Sequence, residues 1–288
     1  MQLFVTGTES FIGRALRARS HAEGIAFTGV DAAGQGTERA DIRNPALADV
    51  MPEGATVVHL AAMSRDPDCR ADPAGAFDIN VNGTLNVAAA ARRRKAPQLI
   101  FASTEWVYGE VSNDEIQRED RAIDVTRIKS EYAFTKIVGE QGLRMIGSLP
   151  TMTILRFGIV YGSRSANWSA VESLFNTLRT ANQVKIGAAA TARRFIHVDD
   201  IVSGILASVG RTGFETFNLS GDRLVTLGEV VETSSQLLGR KVELIETNPA
   251  QPSVRNPHNG KAREALGWAP KVSLADGLTH LHRFLETA

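Results

Sequence analysis

The sequence contains a single cysteine, Cys69, among its 288 residues. One cysteine cannot form an intrachain disulfide, and it makes a cysteine-based metal site implausible. No apolar run approaches the roughly 20 residues that a membrane-spanning helix needs. Residues 1–7 (MQLFVTG) show neither a basic leader nor a small-residue cleavage site. These absences predict a soluble, cytoplasmic protein with no membrane partner.

An excess of charge of either sign is also missing, because 32 basic and 32 acidic side chains cancel. A balanced surface gives no electrostatic footprint for nucleic acid. The short basic run at 92–95 (RRRK) ends an Ala-rich helical pattern, and cations are favoured at a helix C-terminus. We therefore expect no nucleic-acid partner.

Short β-branched runs alternate with longer helical patterns through the first half of the chain. The predicted strands lie at 3–5, 25–30, 56–61, 99–101 and 152–157, and the predicted helices lie at 11–22, 74–94 and 126–146. Such alternation implies right-handed crossovers and a parallel sheet covered on both faces. The predicted fold class is therefore α/β, with a doubly wound parallel Rossmann sheet.

The rhythm changes after Gly162. Helices are predicted at 170–179 and 227–238, strands at 184–186 and 216–219, and a last helix that ends near Leu285. We interpret these elements as a smaller C-terminal α/β substrate lobe, packed over the sheet edge where open α/β folds bind ligands. The predicted domains are 1–162 with 196–217 for the Rossmann domain, and 163–195 with 218–288 for the substrate lobe.

The first strand runs into a glycine-containing loop, TGTESFIG at 6–13, which opens a helix. A pyrophosphate needs close backbone approach and free amides at a helix N-terminus. Gly7 supplies the tight turn, and Gly13 lets the helix pack close to the strand. Ser10 stands where a full fingerprint has a third glycine, but its hydroxyl can itself face phosphate. The loop predicts a dinucleotide site, and a plain strand-turn-helix corner is the alternative.

Asp31 ends the second predicted strand, 18 residues beyond Gly13. A carboxylate at that place accepts hydrogen bonds from the adenosine ribose and repels a 2′-phosphate, which favours NAD over NADP. The alternative is an Asp that only shapes the turn before Gly34.

Tyr132 and Lys136 lie four residues apart in a predicted helix and therefore project from one face. The strand at 99–101 leads into Ser103 and Thr104, which places hydroxyl groups at the ligand edge of the same sheet. A tyrosine and a lysine at this spacing are weak evidence alone. Their position near the hydroxyl-bearing strand end makes them candidate catalytic residues.

Taken in order, the motifs resemble the extended short-chain dehydrogenase/reductase family, the group of NAD-dependent nucleotide-sugar epimerases and dehydratases. The resemblance covers nearly the whole chain. It rests on TGTESFIG at 6–13, Asp31, Asp41 and Ile42, HLAA at 59–62, NVNGT at 80–84, STEWVYG at 103–109, YAFTK at 132–136, LRFGIVYG at 155–162, RRFIHVDDI at 193–201 and KAREALGWAP at 261–270.

The resemblance implies that Tyr132 is the general base or acid on a sugar hydroxyl. Because a free phenol ionises near pH ~10, it needs the ammonium of Lys136 and the positive nicotinamide to lower its pKa. Lys136 would also bind the nicotinamide ribose, and Thr104 would orient the hydroxyl. The implied NAD contacts are Gly7, Ser10, Phe11, Ile12, Gly13, Asp31, Asp41, Ile42, Leu60, Ala61, Ala62 and Asn80, together with Tyr132 and Lys136.

For the substrate, the resemblance places Arg193 on a nucleotide diphosphate, with Arg255 as a second candidate, since a guanidinium matches phosphate oxygens bidentately. Two surface arginines are the alternative. Ser64 and Glu105 are further expected substrate contacts. His197 and Asp199–Asp200 resemble a metal cluster, but we interpret them as a structural turn and a helix start. His59 is interpreted as a core histidine, and no metal site is predicted.

The residues after Thr104 bear on the reaction. Dehydratases of the family follow this threonine with an acid pair, whereas here Glu105 precedes Trp106, and an indole cannot replace a base. This departure weighs against 4,6-dehydration and favours 4-epimerisation through a transient keto-sugar or simple oxidoreduction, and the first is the predicted reaction. A second departure is Ile159, where many relatives carry an asparagine that contacts the substrate.

Other functions stay open at this point. They are a keto-sugar reductase or dehydrogenase, a 4,6-dehydratase, and a non-catalytic NAD-binding sensor, although sensors usually lose the Tyr–Lys pair. By analogy with the family, a homodimer built from helices 74–94 and 126–146 is expected.

Overall fold

The computed structural model describes residues 1–34, 37–146, 149 and 151–287. The described residues form two compact units. The first comprises Met1–Glu110, Glu119–Phe157 and Val202–Phe217, and the second comprises Val111–Arg118, Gly158–Ile201 and Asn218–Ala288. These units place 111–118, 158–162 and 196–201 with the C-terminal residues, and the predicted domain division stays a prediction.

A seven-stranded sheet is the centre of the first unit. Its strands are β1 (Gln2–Thr6), β2 (Ala26–Asp31), β3 (Glu38–Arg39), β4 (Thr56–His59), β5 (Leu99–Thr104), β6 (Thr151–Phe157) and β7 (Gly213–Leu219). The spatial order is β7-β6-β5-β4-β1-β2-β3. The pairs β3·β2, β2·β1, β1·β4, β4·β5 and β5·β6 are all parallel.

The strand sequences explain why the sheet is central. Every residue of β4, β5 and β6 is buried. Continuous burial along a strand is typical of a parallel sheet that is covered on both faces, and it favours near-continuous apolar runs over alternation. The order reverses at β1, between β4 and β2, which is the point where doubly wound sheets bind dinucleotides. The predicted fold class is confirmed.

Six helices of the first unit precede β6. They are α1 (Phe11–Ala22), α2 (Leu47–Val50), α3 (Asp66–Ala71), α4 (Pro73–Phe77), α5 (Gly83–Arg93) and α6 (Glu131–Ile146). Helix α1 has the predicted bounds, because Ser10 caps it and the Phe11–Ala22 pattern is helical throughout. Within the described residues, no helix is both long and apolar enough to cross a membrane.

Two predicted helices were wrong in part. The helix predicted at 74–94 is interrupted by a π-helical turn at Asp78–Asn82 between α4 and α5. The helix predicted at 126–146 begins only at Glu131, because the Ser130 hydroxyl accepts the amide of Ala133 and starts a new helix. The preceding Val125–Arg127 forms a separate 3-10 turn, which the Asp124 side chain caps.

The second unit is built on its own apolar cluster, which includes Phe175, Val230 and Leu281. Its helices are α7 (Ala170–Thr180), α8 (Val198–Ala207), α9 (Leu227–Leu238), α10 (Gly260–Leu266) and α11 (Leu274–Thr287), and the last residues of α8 fall in the first unit. Its short strands are Ile116–Gln117, Val160–Tyr161, Gln183–Ile186, Ala192–Arg193, Ile196–His197, Val225–Thr226, Glu243–Glu246 and Asn256–Pro257.

Candidate active site

The loop between β1 and α1 is closed tightly around two glycines. Gly7 has a φ of +81°, and a Cβ at that position would lie 2.7 Å from the amide nitrogen of Ala61. A Cβ on Gly13 would lie 2.2 Å from the carbonyl oxygen of Gly7. Since only glycine fits at either place, the backbone can approach a diphosphate closely at the N-terminus of α1. This is the geometry that the sequence predicts for a dinucleotide loop.

Ser10 caps α1, because its hydroxyl oxygen accepts the backbone amide of Gly13 at 3.0 Å. The oxygen is therefore engaged by the helix, and the hydroxyl proton is the group that Ser10 can offer to a phosphate. Phe11 and Ile12 follow as the first residues of α1, half-buried beside this loop.

Asp31 stands at the end of β2 and faces this loop. One carboxylate oxygen accepts the amide of Glu9 at 2.9 Å, and the other accepts the amide of Ala33 at 2.9 Å. Asp31 therefore shapes its own turn and also joins the end of β2 to the coenzyme loop. The Glu9 carboxylate accepts a hydrogen bond from Arg17 at 2.8 Å. The loop therefore has a second carboxylate, Glu9, beside Asp31.

The next predicted coenzyme contacts lie in different surroundings. Ile42 is buried in the core cluster of the first unit. The Asp41 carboxylate is held by the Arg43 guanidinium, which lowers the pKa of Asp41. Leu60, Ala61 and Ala62 follow β4 and are half-buried, while Ser64 is exposed. Their predicted contacts with NAD and substrate stay predictions.

Asn80 lies in the π-helical turn and is fully buried. Its side-chain oxygen accepts the amide of Met63 at 2.8 Å. Its side-chain nitrogen donates to the carbonyl of Met63 and to the hydroxyl of Thr135, both at 2.9 Å. Asn80 therefore ties the segment after β4 to the residue that precedes Lys136. This network supports a positioning role, and π-helical turns occur often at functional sites.

Tyr132 and Lys136 lie on one face of α6, and the Lys136 nitrogen is 5.8 Å from the centre of the Tyr132 ring. It is also 4.6 Å from the centre of the Phe101 ring of β5. Lys136 is 1% exposed. Burial raises the pKa of Tyr132, with a smaller contribution from the Cys69 thiol. Burial also lowers the pKa of Lys136 to about 7, although the Glu140 carboxylate opposes that shift.

Thr104 ends β5 and is buried, and its hydroxyl oxygen accepts the amide of Trp106 at 3.3 Å. Glu105 is buried directly after it, whereas Trp106 is partly exposed. The sheet brings the end of β5 to α6, since Ser103 donates to Glu140 of that helix at 2.5 Å. The predicted hydroxyl-bearing strand end and the predicted Tyr–Lys helix are therefore neighbours.

The sequence reasoning missed Glu140 and Arg156. Arg156 of β6 donates to both carboxylate oxygens of Glu140, at 3.1 and 2.7 Å, and both side chains are buried. The position of Glu140, four residues after Lys136, was a readable signal that the two share a helix face. Nothing in the sequence indicated that Cys69 is buried near Tyr132 and Lys136.

In the second unit, the structure brings together the segments of the two predicted substrate arginines. Ala192 forms a parallel bridge with Val254, and the amide of Arg255 donates to the Ala192 carbonyl at 3.1 Å. Arg193 donates to the carbonyl of Ser253 at 2.6 Å, and Arg255 is buried. Their predicted binding of a diphosphate stays a prediction. Ile159 packs against the apolar cluster of this unit.

His197 and Asp200 have structural roles in the second unit. The Asp200 carboxylate accepts the amides of Lys271 and Val272 at 2.8 and 3.0 Å. His197 is buried and packs edge-on against Tyr161 and His280. Ligand atoms of His197, Asp199 and His280 lie within 4.8 Å of one another, and the absence of a metal stays a prediction.

Comparison with known proteins matches the chain at both sequence and structure level. A sequence model of the NAD dependent epimerase/dehydratase family matches residues 3–220. The UDP-glucose 4-epimerase of Mycolicibacterium smegmatis is 28% identical, with 99% of each chain covered. The GDP-6-deoxy-D-mannose reductase of Pseudomonas aeruginosa is 25% identical, covering 96% of this chain and 94% of the relative.

A solved structure agrees over the full length. The UDP-glucose 4-epimerase of Thermus thermophilus, in complex with NAD, superposes with a TM-score of 0.84. It is 25% identical, and the match covers 100% of each chain.

Proposed function

Because the chain belongs to the NAD dependent epimerase/dehydratase family, we propose that it inverts the C4 centre of the sugar of a nucleotide diphosphate sugar. Family membership confirms the resemblance read from the motifs, the enzyme class and the coenzyme NAD. The relatives include nucleotide-sugar epimerases and reductases, and the inversion at C4 is our proposal.

The observation that carries the proposal is the intact Tyr132–Lys136 pair beside the end of β5. Lys136 is buried on the same helix face as Tyr132, and Thr104 ends the strand that α6 packs against. Trp106, which stands where dehydratases of the resembled family carry the second acid, favours epimerisation over loss of water.

The residues of the first unit fit NAD. The cradle at Gly7 and Gly13 has no room for a Cβ, the amides at the start of α1 favour an anion, and Asp31 ends β2 with a carboxylate. When bound, NAD supplies a reversible hydride acceptor. Gly7, Ser10 and Gly13 would hold the pyrophosphate, Asp31 the adenosine ribose, and Lys136 the nicotinamide ribose.

The side chains of the first unit then supply the proton chemistry. Tyr132 removes the proton of the sugar C4 hydroxyl while that carbon is oxidised, and Thr104 orients the hydroxyl. Lys136 stabilises the phenolate before the transfer. After the keto-sugar has turned, its C4 carbon is reduced again on the opposite face, and Tyr132 returns the proton to the oxygen. The cycle consumes no net oxidant or reductant.

Arg193 and Arg255 are the proposed ligands of the substrate diphosphate, since a guanidinium can donate two parallel hydrogen bonds to phosphate oxygens. Ser64 and Glu105 are the proposed contacts to the sugar. The Arg193 guanidinium already donates to oxygen atoms of Ser253, which fixes its direction.

A keto-sugar reductase is the second candidate function. One relative that covers 96% of this chain is a GDP-6-deoxy-D-mannose reductase. Many members of the family have an asparagine that contacts the substrate at the position of Ile159. Its replacement by isoleucine also favours a substrate that is bound differently from the nucleotide sugars of those members. A reductase consumes one coenzyme molecule per turnover, whereas an epimerase consumes none.

A single experiment distinguishes the epimerase from the reductase. Purified protein is incubated with UDP-, GDP- and dTDP-sugars without added coenzyme, and the sugars are followed by proton NMR. Inversion at one centre is expected, and a Tyr132→Phe variant should abolish it. Conversion of a sugar to its keto-sugar, in step with reduction of NAD once NAD is added, would replace epimerisation by net dehydrogenation.

We further propose a homodimer formed through α4, α5 and α6. Phe77 of α4 and Phe134 of α6 are 40% and 39% exposed, and their ring centres lie 6.0 Å apart. Adjoining exposed aromatic rings on one face are typical of a protein interface. Light scattering of the wild type should give twice the chain mass, and Phe134→Glu should give one chain mass. A monomeric wild type at working concentration contradicts the dimer.

A further inference from the structure

A buried ion pair lies one helical turn beyond Lys136. Glu140 follows Lys136 by four residues on α6, so both project from one face. The side chain of Glu140 is fully buried, and its carboxylate accepts hydrogen bonds from Ser103 of β5 and from Arg156 of β6. Three elements of the sheet–helix layer therefore meet at this one carboxylate.

Lys136 has few groups that can stabilise its charge. The ring of Phe101 covers it from β5. From β4 it faces His59, whose pKa is lowered to about 3 by burial, so this imidazole is neutral. From α3 it faces the Cys69 thiol, whose pKa is raised by burial. On α6 its neighbours are Tyr132 and Glu140. The Glu140 carboxylate is thus the acidic group that most favours the ammonium form.

We propose that Glu140 is a positioning residue that keeps Lys136 in its ammonium form beside Tyr132, and that Arg156 holds the Glu140 carboxylate in place. This inference rests on the proposed function, because it concerns the activation of Tyr132. Glu140 is not proposed to touch the substrate. It acts through Lys136.

The Glu140–Arg156 pair offsets the effect of burial on Lys136. Burial of Lys136 disfavours its charge, but only the charged form lowers the pKa of the phenol. Burying a carboxylate costs free energy unless it is paired, and Arg156 pairs with both oxygens of Glu140. The Glu140 carboxylate of this pair thus favours the ammonium form of the buried Lys136.

The test measures the phenol directly and needs no substrate. The chain has three tyrosines, so the absorbance of phenolate near 295 nm can be followed with little background. The NAD-loaded wild type is titrated from pH 6 to 10, and the Tyr132→Phe protein is subtracted as the blank. We expect one phenolate to form at neutral to mildly alkaline pH in the wild type.

In Glu140→Gln, the midpoint of this titration should move up by about one pH unit. Without the carboxylate a smaller fraction of Lys136 is protonated, so Lys136 stabilises the phenolate of Tyr132 less. The direction is diagnostic. A direct field of Glu140 on the phenol would act oppositely, and its removal would move the midpoint down. A downward shift or an unchanged midpoint overturns the proposal.

Matched variants separate charge from structure. Ser103→Ala removes one hydrogen bond but leaves the carboxylate, and its midpoint should stay within about 0.3 unit of the wild type. Glu140→Asp keeps the negative charge, and the midpoint of its phenolate titration should lie close to that of the wild type. A Ser103→Ala shift as large as that of Glu140→Gln would mean that Glu140 acts only through packing.

Removing Glu140 alone leaves Arg156 buried without its partner, which can unfold the chain. The double variant Glu140→Gln/Arg156→Gln removes both charges and leaves two neutral amides that can hydrogen-bond. It should show the same upward shift, since the Glu140 carboxylate is the charge that raises the pKa of Lys136.

Two outcomes separate this inference from the proposed function. If the wild type forms no phenolate below pH 9, the proposed activation of Tyr132 is refuted. If the wild type forms the phenolate as expected and the variants show no shift, only the role of Glu140 is refuted.

Discussion

The Lys136 nitrogen lies 5.8 Å from the centre of the Tyr132 ring, one helical turn away on α6. The two groups share a face because they are four residues apart. Burial destabilises the charged form of both, so it raises the pKa of Tyr132 and lowers that of Lys136. The pair therefore acts as an acid–base device only when a positive coenzyme ring and a carboxylate compensate for burial.

Replacing Tyr132 by Phe should reduce turnover by roughly 10²–10⁴-fold, because the proton acceptor is lost while the ring is kept. NAD should stay bound, and the ratio of absorbance at 260 and 280 nm checks its retention. Tyr161→Phe, in the second unit, is the matched control and should keep full turnover. An active Tyr132→Phe protein would favour the sensor function or another base.

Lys136 makes the stability of the coenzyme-free protein depend on pH. Its folded pKa, about 7, lies below the ordinary 10.5. Below pH 7 the folded state must carry a buried ammonium, and that cost disappears as pH rises through the interval from 7 to about 10. Lys136→Met should therefore be more stable than the wild type by up to roughly 5 kcal/mol at pH 6, with the gap shrinking towards pH 10.

Chemical denaturation at several pH values measures this gap. Lys185→Met, at an exposed position, should leave the pH profile of the free energy of unfolding unchanged. A Lys136→Met gap that is constant from pH 6 to pH 10 would show that Lys136 is not buried in its charged form.

Asp31 should decide between the two nicotinamide coenzymes. Removing its carboxylate in Asp31→Ser takes away the acceptor for the ribose hydroxyls and the repulsion of a 2′-phosphate. We expect the ratio of NADPH to NADH affinity to rise at least about tenfold, corresponding to roughly 1.4 kcal/mol. Fluorescence titration of both coenzymes measures it. Asp49→Asn, at an exposed position, is the control, and an unchanged ratio in Asp31→Ser contradicts the assignment.

The coenzyme loop should tolerate changes at Ser10 far better than at Gly13. Ser10→Ala loses the helix cap and should cost about 1 kcal/mol, whereas Ser10→Gly should cost only a few tenths. Gly13→Ala places a Cβ 2.2 Å from the Gly7 carbonyl and should abolish NAD binding. Thermal unfolding and NADH titration follow both effects. Tight NADH binding by Gly13→Ala would show that the loop has another shape.

Much of this fold follows from local patterns. The bounds of α1 and α9 agree with the helical periodicity, since Ser10 and Thr226 cap them locally. The Tyr132–Lys136 face follows from spacing alone. The π-helical turn at Asp78–Asn82 was beyond sequence reasoning, because the same apolar spacing suits an uninterrupted helix.

The Glu140–Arg156 pair could not be predicted for a different reason. Glu140 lies on α6 and Arg156 on β6, and only the packing of that helix on the sheet brings them together. A buried carboxylate and a buried guanidinium look like surface residues when each is considered alone. Their burial is a tertiary property, and so is the support that they give to Lys136.

The most direct test of the account follows hydrogen at C4 of the sugar. Any nucleotide sugar of the panel that turns over is supplied with deuterium at C4, and the product is examined by NMR and mass spectrometry. We predict an inverted C4 that keeps its deuterium, with no added coenzyme and no turnover in Tyr132→Phe. A product that carries solvent hydrogen at C4, or a panel in which every sugar returns unchanged, would contradict epimerisation by this chain.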